Sequence, residues 1–265
     1  MITKIRQEYD IIKSLFKTDV FLYTMGKAGS NSISYSLEKA GLAVSTKHYF
    51  AGDQHNFFKN NDTNFLGKFR KQLTRKYIAQ SNKKIKIISM VRDPLARNLS
   101  MVFFALETIL YRTLGPTDKR NLKGNYVTLH EIIEIGFEEQ INHQGPLTFF
   151  EKEFNFVLDL DVYKYPFDQE KGSTRILTDK LDILILKLEK LNSLEETICD
   201  FLNLNYFELL SANRGENYWY ADIYKNFKKE FSPSKEYLDQ MYESKYCRHF
   251  YSPREIAGFR SRWQK

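Results

Sequence analysis

The sequence predicts a three-layer α/β fold, with a mainly parallel central sheet flanked by helices. Three observations predict it. The apolar run Val20-Phe21-Leu22-Tyr23-Thr24 leads into a glycine-bearing loop, Met25 to Asn31. Ile33, Leu37 and Ala40 then lie on one helical face, and Gly41 supplies a stop. Two further apolar runs, Lys86–Val91 and Ile183–Leu188, alternate with helical patterns, the order that builds a sheet covered by helices.

The elements follow in order. Ile5, Tyr9, Ile12 and Phe16 have the spacing of a short amphipathic helix. Residues 42–50 read as a second strand running into a loop, and a helix is expected around Phe65–Ala79. Pro94 ends the strand at 86–91, and Leu95–Leu110 reads as a helix. Residues 111–128 are a Gly/Pro/Asn-rich excursion, followed by helices at Leu129–Asn142 and Leu147–Phe154. Strands are expected at Val162–Tyr165 and Thr174–Leu177, around a Lys171-Gly172 turn. Ser193 and Glu196 have the spacing of a capping box for a helix at Leu194–Leu202. The last sixty residues read as amphipathic helices. With no linker or repeat, residues 1–265 read as a single domain. An insertion near 111–150 and helices over 205–265 are expected to border the functional site.

Composition narrows the function classes. The 265 residues are 42% hydrophobic and 28% charged, ordinary values for a globular chain. Lys and Arg number 40 against 33 Asp and Glu, and the resulting charge of +7 favours anionic partners. No apolar stretch approaches a membrane span, and the charge-scattered N-terminus does not read as a signal peptide. The two cysteines, Cys199 and Cys247, have neither CxxC nor zinc spacing, so no metal site is expected, and a reducing cytoplasm is the expected location.

Two segments carry chemistry. A loop between a strand and a helix N-terminus presents unpaired N–H groups and the positive end of the helix dipole, which suits an anion. Gly26 and Gly29 allow close approach, Ser30, Asn31 and Ser32 add polar donors, and Lys27 adds a charge. Lys27 precedes Gly29, so the order is not that of a Walker A motif. The second segment is Arg92-Asp93-Pro94-Leu95-Ala96-Arg97-Asn98-Leu99-Ser100 at a strand end, where open α/β sheets bind ligands. A guanidinium at Arg92 and a hydroxyl at Ser100 together suit a phosphate. An Arg92–Asp93 ion pair with Ser100 packed in a helix is the plainer reading of the same residues.

Taken together, these segments resemble the site of sulfotransferases that use 3′-phosphoadenosine 5′-phosphosulfate (PAPS). Gly26-Lys27-Ala28-Gly29-Ser30-Asn31-Ser32 resembles the family's 5′-phosphosulfate loop, with Gly26 where that loop has proline and Asn31 where it has threonine. Arg92 and Ser100 resemble its 3′-phosphate element in type and spacing. A third element, ILILKLEKLNSLEETICDFLNL (183–204), resembles the family's late strand and helix, with Glu189 in a Glu position. The segments 217–228, 249–256 and 259–263 are similar to a bacterial branch of capsular polysaccharide synthesis proteins that is sulfotransferase-like in fold.

The resemblance implies a P-loop NTPase-like sulfotransferase fold and transfer of a sulfuryl group from PAPS to a carbohydrate hydroxyl of a capsular or other surface polysaccharide or its precursor. It implies that Lys27 contacts the 5′-phosphate and the leaving oxygen, that Ala28 and the loop around it hold the phosphosulfate, and that no metal is needed. The expected partner is a glycan or glycolipid acceptor, met in solution or at a membrane periphery, and not nucleic acid. His48 ends the second strand and is the first choice for the base, because an imidazole with pKa about 6.5 suits proton abstraction near neutrality. His55 is second, while His130 and His143 flank an insertion helix and His249 sits among aromatics.

Arg70, Lys71, Arg75 and Lys76 read as a solvated basic face, and Tyr218, Trp219, Tyr220 and Tyr224 read as core. The resemblance also makes Arg254, Arg260 and Arg262 near the end candidates to reach the cofactor, as the family's C-terminal basic segment closes its 3′-phosphate site. A nucleotide-dependent kinase, a non-catalytic polysaccharide-synthesis accessory protein and a nucleic-acid binder are the alternatives weighed.

Overall fold

Five strands form one sheet in the order β2-β1-β3-β5-β4. The chain's computed structural model describes residues 2–50, 65–114, 126–210 and 218–264. The strands are β1 (Val20–Tyr23), β2 (Val44–Lys47), β3 (Ile85–Val91), β4 (Ser173–Leu177) and β5 (Leu181–Lys187). β2, β1, β3 and β5 run parallel, and β4 pairs antiparallel with β5 at one edge. The sheet is flanked by helices.

Burial explains the strand sequences. β1 and β5 are buried along their whole length, and β3 is buried at all but one position, so near-continuous apolar runs suit them. The edge strand β4 is only partly buried, and its Arg175 reaches Asp182 of β5 through two hydrogen bonds. Among the described residues, the buried apolar side chains form one continuous cluster from Ile12 to Trp263.

The helices on the N-terminal side are α1 (Ile2–Leu15), α2 (Ser30–Lys39), α3 (Phe65–Gln80), α4 (Pro94–Phe104) and α5 (Leu106–Leu114). Further along come α6 (Tyr126–Ile135), extended by a π-helical turn to Gln140, and α7 (Gly145–Phe149), which continues as a π-helix over Phe150–Leu158. The rest are α8 (Glu195–Leu202), α9 (Ala221–Glu230), α10 (Lys235–Tyr242), α11 (Lys245–Phe250) and α12 (Pro253–Trp263).

Four local expectations change. Val162–Lys164 is a 3₁₀ turn rather than a strand, because Asp161 accepts from the Tyr163 N–H and closes the backbone locally. The capping box at Ser193 does not form: the Ser193 hydroxyl donates back to the Lys190 carbonyl, and Leu194 takes the N-cap position. The helix expected at Leu95–Leu110 is interrupted at Ala105, giving α4 and α5. The basic run of α3 is not simply solvated. Arg70 pairs with Glu8 of α1, and Arg75 donates to the Phe156 and Val157 carbonyls and to Asp159.

The two cysteines are free thiols, with Cys247 buried. No helix among the described residues is long and apolar enough to cross a membrane.

A buried ion pair closes the C-terminal helix onto the sheet. The Lys187 ammonium at the end of β5 has no exposed surface, and it donates to both carboxylate oxygens of Glu255 on α12 at 2.9 Å. Removing one partner of a buried pair costs about 3–5 kcal/mol. Glu255 is 22% exposed, which favours the low end of that range. Glu255→Gln retains an acceptor for the Ser252 cap, and we expect it to destabilise the fold by about 3 kcal/mol in urea unfolding. Lys187→Met in the same background is expected to recover most of that loss. If Glu255→Gln alone unfolds like wild type, the pair does not hold α12.

Candidate functional site

The strand order places the site. From β1 the chain goes one way to β2 and the other way to β3, so the carboxyl ends of β1 and β3 flank a topological switch point, where open α/β sheets leave a crevice. The glycine loop leaves β1 and the Arg92-Asp93 turn leaves β3 at that crevice. A cleft of 460 Å³ opens there, lined by Gly26, Lys27, Gly29, Ser30, Asn31, Ser32, His48, Arg92 and Ser100, together with Met101, Phe104 and Leu188. The site residues singled out in the sequence thus converge on one cleft. Ala28 is the exception: it is fully buried beneath the loop.

The loop's shape follows from its backbone. Lys27 has φ 67° and Gly29 φ 96°, both in the left-handed region. A Cβ on Gly29 would lie 2.6 Å from Leu188 Cδ1 and 2.9 Å from Met90 Cε, so glycine is required there by both conformation and space. Gly29 is also the N-cap of α2, and among the described residues no side chain caps that helix. Its first N–H groups therefore face the loop with the positive end of the helix dipole.

Cations surround this end. Lys27 is partly buried, and burial, then Arg92 and Arg97, push its ammonium pKa down. Arg92 Nη1 donates to the Lys27 carbonyl at 2.7 Å, joining the two segments. Among the described residues, none of these three cations is ion-paired to a carboxylate. Asp93 instead caps α4, accepting from the Leu95 and Ala96 N–H groups, so it is not spent on Arg92. The site therefore carries unneutralised positive charge that can hold a multiply charged anion.

The β3 turn is held from behind. Tyr246 donates to the Arg92 carbonyl and accepts from the Arg92 N–H, both at 2.9 Å. Glu189 accepts from the Asp93 N–H and the Tyr251 hydroxyl, and the Tyr242 hydroxyl donates to Asp93. Burial pushes the carboxyl pKa of both Asp93 and Glu189 up. The third sequence element thus lies under the second, through Glu189.

Among the described residues, His48 is the one histidine of the cleft. Its Nδ1 lies 2.7 Å from the Thr24 carbonyl, which can only accept, so Nδ1 carries the proton and Nε2 keeps the lone pair. Burial is the largest effect lowering its pKa, and Arg97, Lys47 and Lys27 lower it further against the Thr24 bond. His48 is therefore neutral near pH 7, as a base must be. His55 lies outside the described residues. His130 sits on α6 near Glu134 and Glu230, His143 meets the Tyr237 hydroxyl, and His249 packs on Tyr163 and Phe250. None of these three lines the cleft.

The aromatic cluster divides. Tyr224 packs on Phe103, whereas Tyr218 stacks on Tyr220 and is 40% exposed. Arg260 is spent on Asp239 and Glu243, while Arg254 and Arg262 are exposed. Sequence reasoning left Arg97, Phe104 and Leu188 without a site role. The signal for Arg97 was present, a second arginine five residues after Arg92, but its direction into the protein was not legible.

Residues 119–252 match the family described as "Putative capsular polysaccharide synthesis protein". The chain belongs to this family. The matched span covers β4, β5, Glu189 and most of the C-terminal helices, and it leaves out the glycine loop and Arg92–Ser100. No curated protein and no solved structure matches the chain.

A paired substitution checks the loop geometry. Left-handed backbone costs about 1–3 kcal/mol for a non-glycine residue, so Gly29→Ala is expected to lower Tm by several degrees. A methyl group added at Gly258, inside α12, would meet nothing within 4 Å. There Gly258→Ala is expected to raise stability by about 0.5–1 kcal/mol. Equal effects of the two in thermal melts would contradict the close packing of Gly29 on Leu188.

Proposed function

We propose that the protein is a sulfotransferase that moves a sulfuryl group from PAPS to a carbohydrate hydroxyl in the synthesis of a capsular or other surface polysaccharide. The observation that carries this reading is the meeting of the glycine loop, Arg92, Ser100 and a neutral His48 in one cleft. The family match supports the polysaccharide part of it. The resemblance of the loop and of Arg92–Ser100 to PAPS-dependent enzymes supports the donor part.

The cations and hydroxyls of the cleft suit an anionic donor in charge. The uncapped N-terminus of α2 and Lys27 would hold the 5′-phosphosulfate. Arg92 and Ser100 would hold the 3′-phosphate. The donor supplies an activated sulfuryl group. As the acceptor oxygen bonds to sulfur, the sulfur–oxygen bond to the phosphate breaks, and negative charge grows on the departing bisphosphate. Fixed cations oriented toward that charge lower the barrier without reorganising. The acceptor's proton would pass to Nε2 of His48. The acceptor itself would be a glycan or glycolipid.

Binding tests the donor site. A ligand at a hundred times its Kd adds about 2.7 kcal/mol, a shift of roughly 5 °C for a chain of this size. Adenosine 3′,5′-bisphosphate is expected to protect the protein in a melt more than 5′-AMP, ADP or ATP does. Arg92→Ala and Lys27→Ala are expected to abolish that selectivity. Indifference to all four nucleotides sinks the reading, and selective protection by ATP replaces it with a kinase.

The pH profile tests the base. Because the pKa of His48 is lowered from 6.5, its active neutral form is lost only as pH falls below that value. Transfer is expected to rise with pH through a midpoint under 6.5 and to stay level above it, as measured by radiolabelled sulfate transfer. His48→Gln is expected to lower the rate by about 10²–10⁴-fold with bisphosphate affinity retained. An unaltered rate in that variant would remove His48 from the chemistry.

A further inference from the structure

Arg97 lies beneath the cleft and does not line it. The residue is 3% exposed, and its charge has no carboxylate ion-pair partner among the described residues. A buried guanidinium must satisfy its donors, and these do so on three different parts of the site. Nε donates to the Gly26 carbonyl at 3.1 Å, which is the start of the glycine loop. Nη2 donates to the Tyr49 hydroxyl at 3.2 Å, next to His48. Nη1 donates to Asn98 Oδ1 at 3.1 Å on α4.

The surroundings make this joint stiff. Asn98 is itself buried, and its amide donates to the His143 carbonyl and the Tyr237 hydroxyl. A Cβ on Gly145 would lie 3.5 Å from Arg97 Nη1, so backbone packs closely against the guanidinium. Beyond Tyr49, the Phe50 N–H donates to buried Glu153, which also accepts from Tyr23. The segment 48–50 is thus held at each residue: His48 on Thr24, Tyr49 on Arg97 and Phe50 on Glu153.

We propose that Arg97 is a positioning residue that locks the anion loop and the His48 segment into one arrangement, so that anion and base are presented to each other without Arg97 touching either substrate. The proposal rests on the sulfotransferase reading of the cleft. Only a planar fork with several donors can reach Gly26, Tyr49 and Asn98 at once. Lysine, with the same charge, is a single point donor and cannot. Arg97 is also one of the charges facing His48, together with Lys27 and Lys47, while the Thr24 carbonyl faces it from the end of β1. A substitution that keeps the charge separates position from electrostatics.

The test uses Arg97→Lys and Tyr49→Phe in the full chain, with circular dichroism and melting curves to establish folding. The readouts are the NMR titration of the His48 ring and the Kd for adenosine 3′,5′-bisphosphate. In Arg97→Lys, we expect the His48 midpoint to move up toward 6.5 as its segment loosens and hydrates, and bisphosphate binding to weaken at least about tenfold. Tyr49→Phe cuts only the link to the base segment. There the His48 midpoint is expected to move the same way, with bisphosphate Kd within about twofold of wild type.

A folded Arg97→Lys protein with wild-type His48 titration and wild-type Kd overturns the proposal. If Arg97→Lys does not fold, an unchanged His48 titration in Tyr49→Phe overturns it instead. Failure of the wild-type chain to bind the bisphosphate overturns the sulfotransferase reading, and the His48 titrations still decide whether Arg97 fixes the 48–50 segment.

Discussion

The turn at the carboxyl end of β3 is buried, and a buried polar backbone has to find partners within the protein. That constraint organises much of the molecule. The Arg92 N–H and carbonyl both meet Tyr246, and the Asp93 N–H meets Glu189. Tyr242 and Tyr251 complete the network from α10 and the end of α11. The C-terminal helices are therefore more than a cover: they supply the hydroxyls that let β3 end in a buried turn. Because Glu189 follows β5, the same network ties the ends of the two central strands together. Arg92 is consequently presented on a rigid base, with its guanidinium directed at the Lys27 carbonyl.

The electrostatic consequence runs in the opposite direction. Arg92, Lys27 and Arg97 gather at the switch point with no carboxylate paired to them among the described residues, and each disfavours its neighbours' charge. The pKa values of Lys27 and His48 are lowered first by burial, and the neighbouring cations add to that lowering. Groups with shifted ionisation that converge in a cleft are characteristic of functional sites, where stability is given up for binding. A bound anion would relieve the repulsion among these cations. The same cations that favour an anion also add to the burial that keeps His48 neutral.

Much of the architecture was legible in the residues. The apolar runs that became β1, β3 and β5 are buried on both faces, and such strands cannot hide their composition. The glycine loop was legible through its composition between an apolar run and an amphipathic helix. The failures were local contests. At Val162 the hydrophobic pattern suggested a strand, but the Asp161 carboxylate closed a turn first. At Ser193 the capping spacing was right, but the hydroxyl found a carbonyl three residues back. On α3, Arg70 and Arg75 had the spacing of a solvated face, but the neighbouring helices brought Glu8 and free carbonyls within reach.

For the site, the sequence by itself determined which chemical groups exist and that the two cation-bearing segments follow strands. Those properties are local: a glycine's backbone freedom, a helix start and the charge of a side chain are all set within a few residues. Only the tertiary structure decided that the segments share a crevice, because strand order depends on which apolar faces pack together across the whole chain. It also decided that Arg97 turns inward to Gly26 and Tyr49 while Arg92 lines the cleft. Both are arginines five residues apart, and nothing local distinguishes them. The difference arises because α4 buries one side against the 142–145 segment and α10, and a guanidinium on that side satisfies its donors only where carbonyls and hydroxyls from distant parts of the chain meet it.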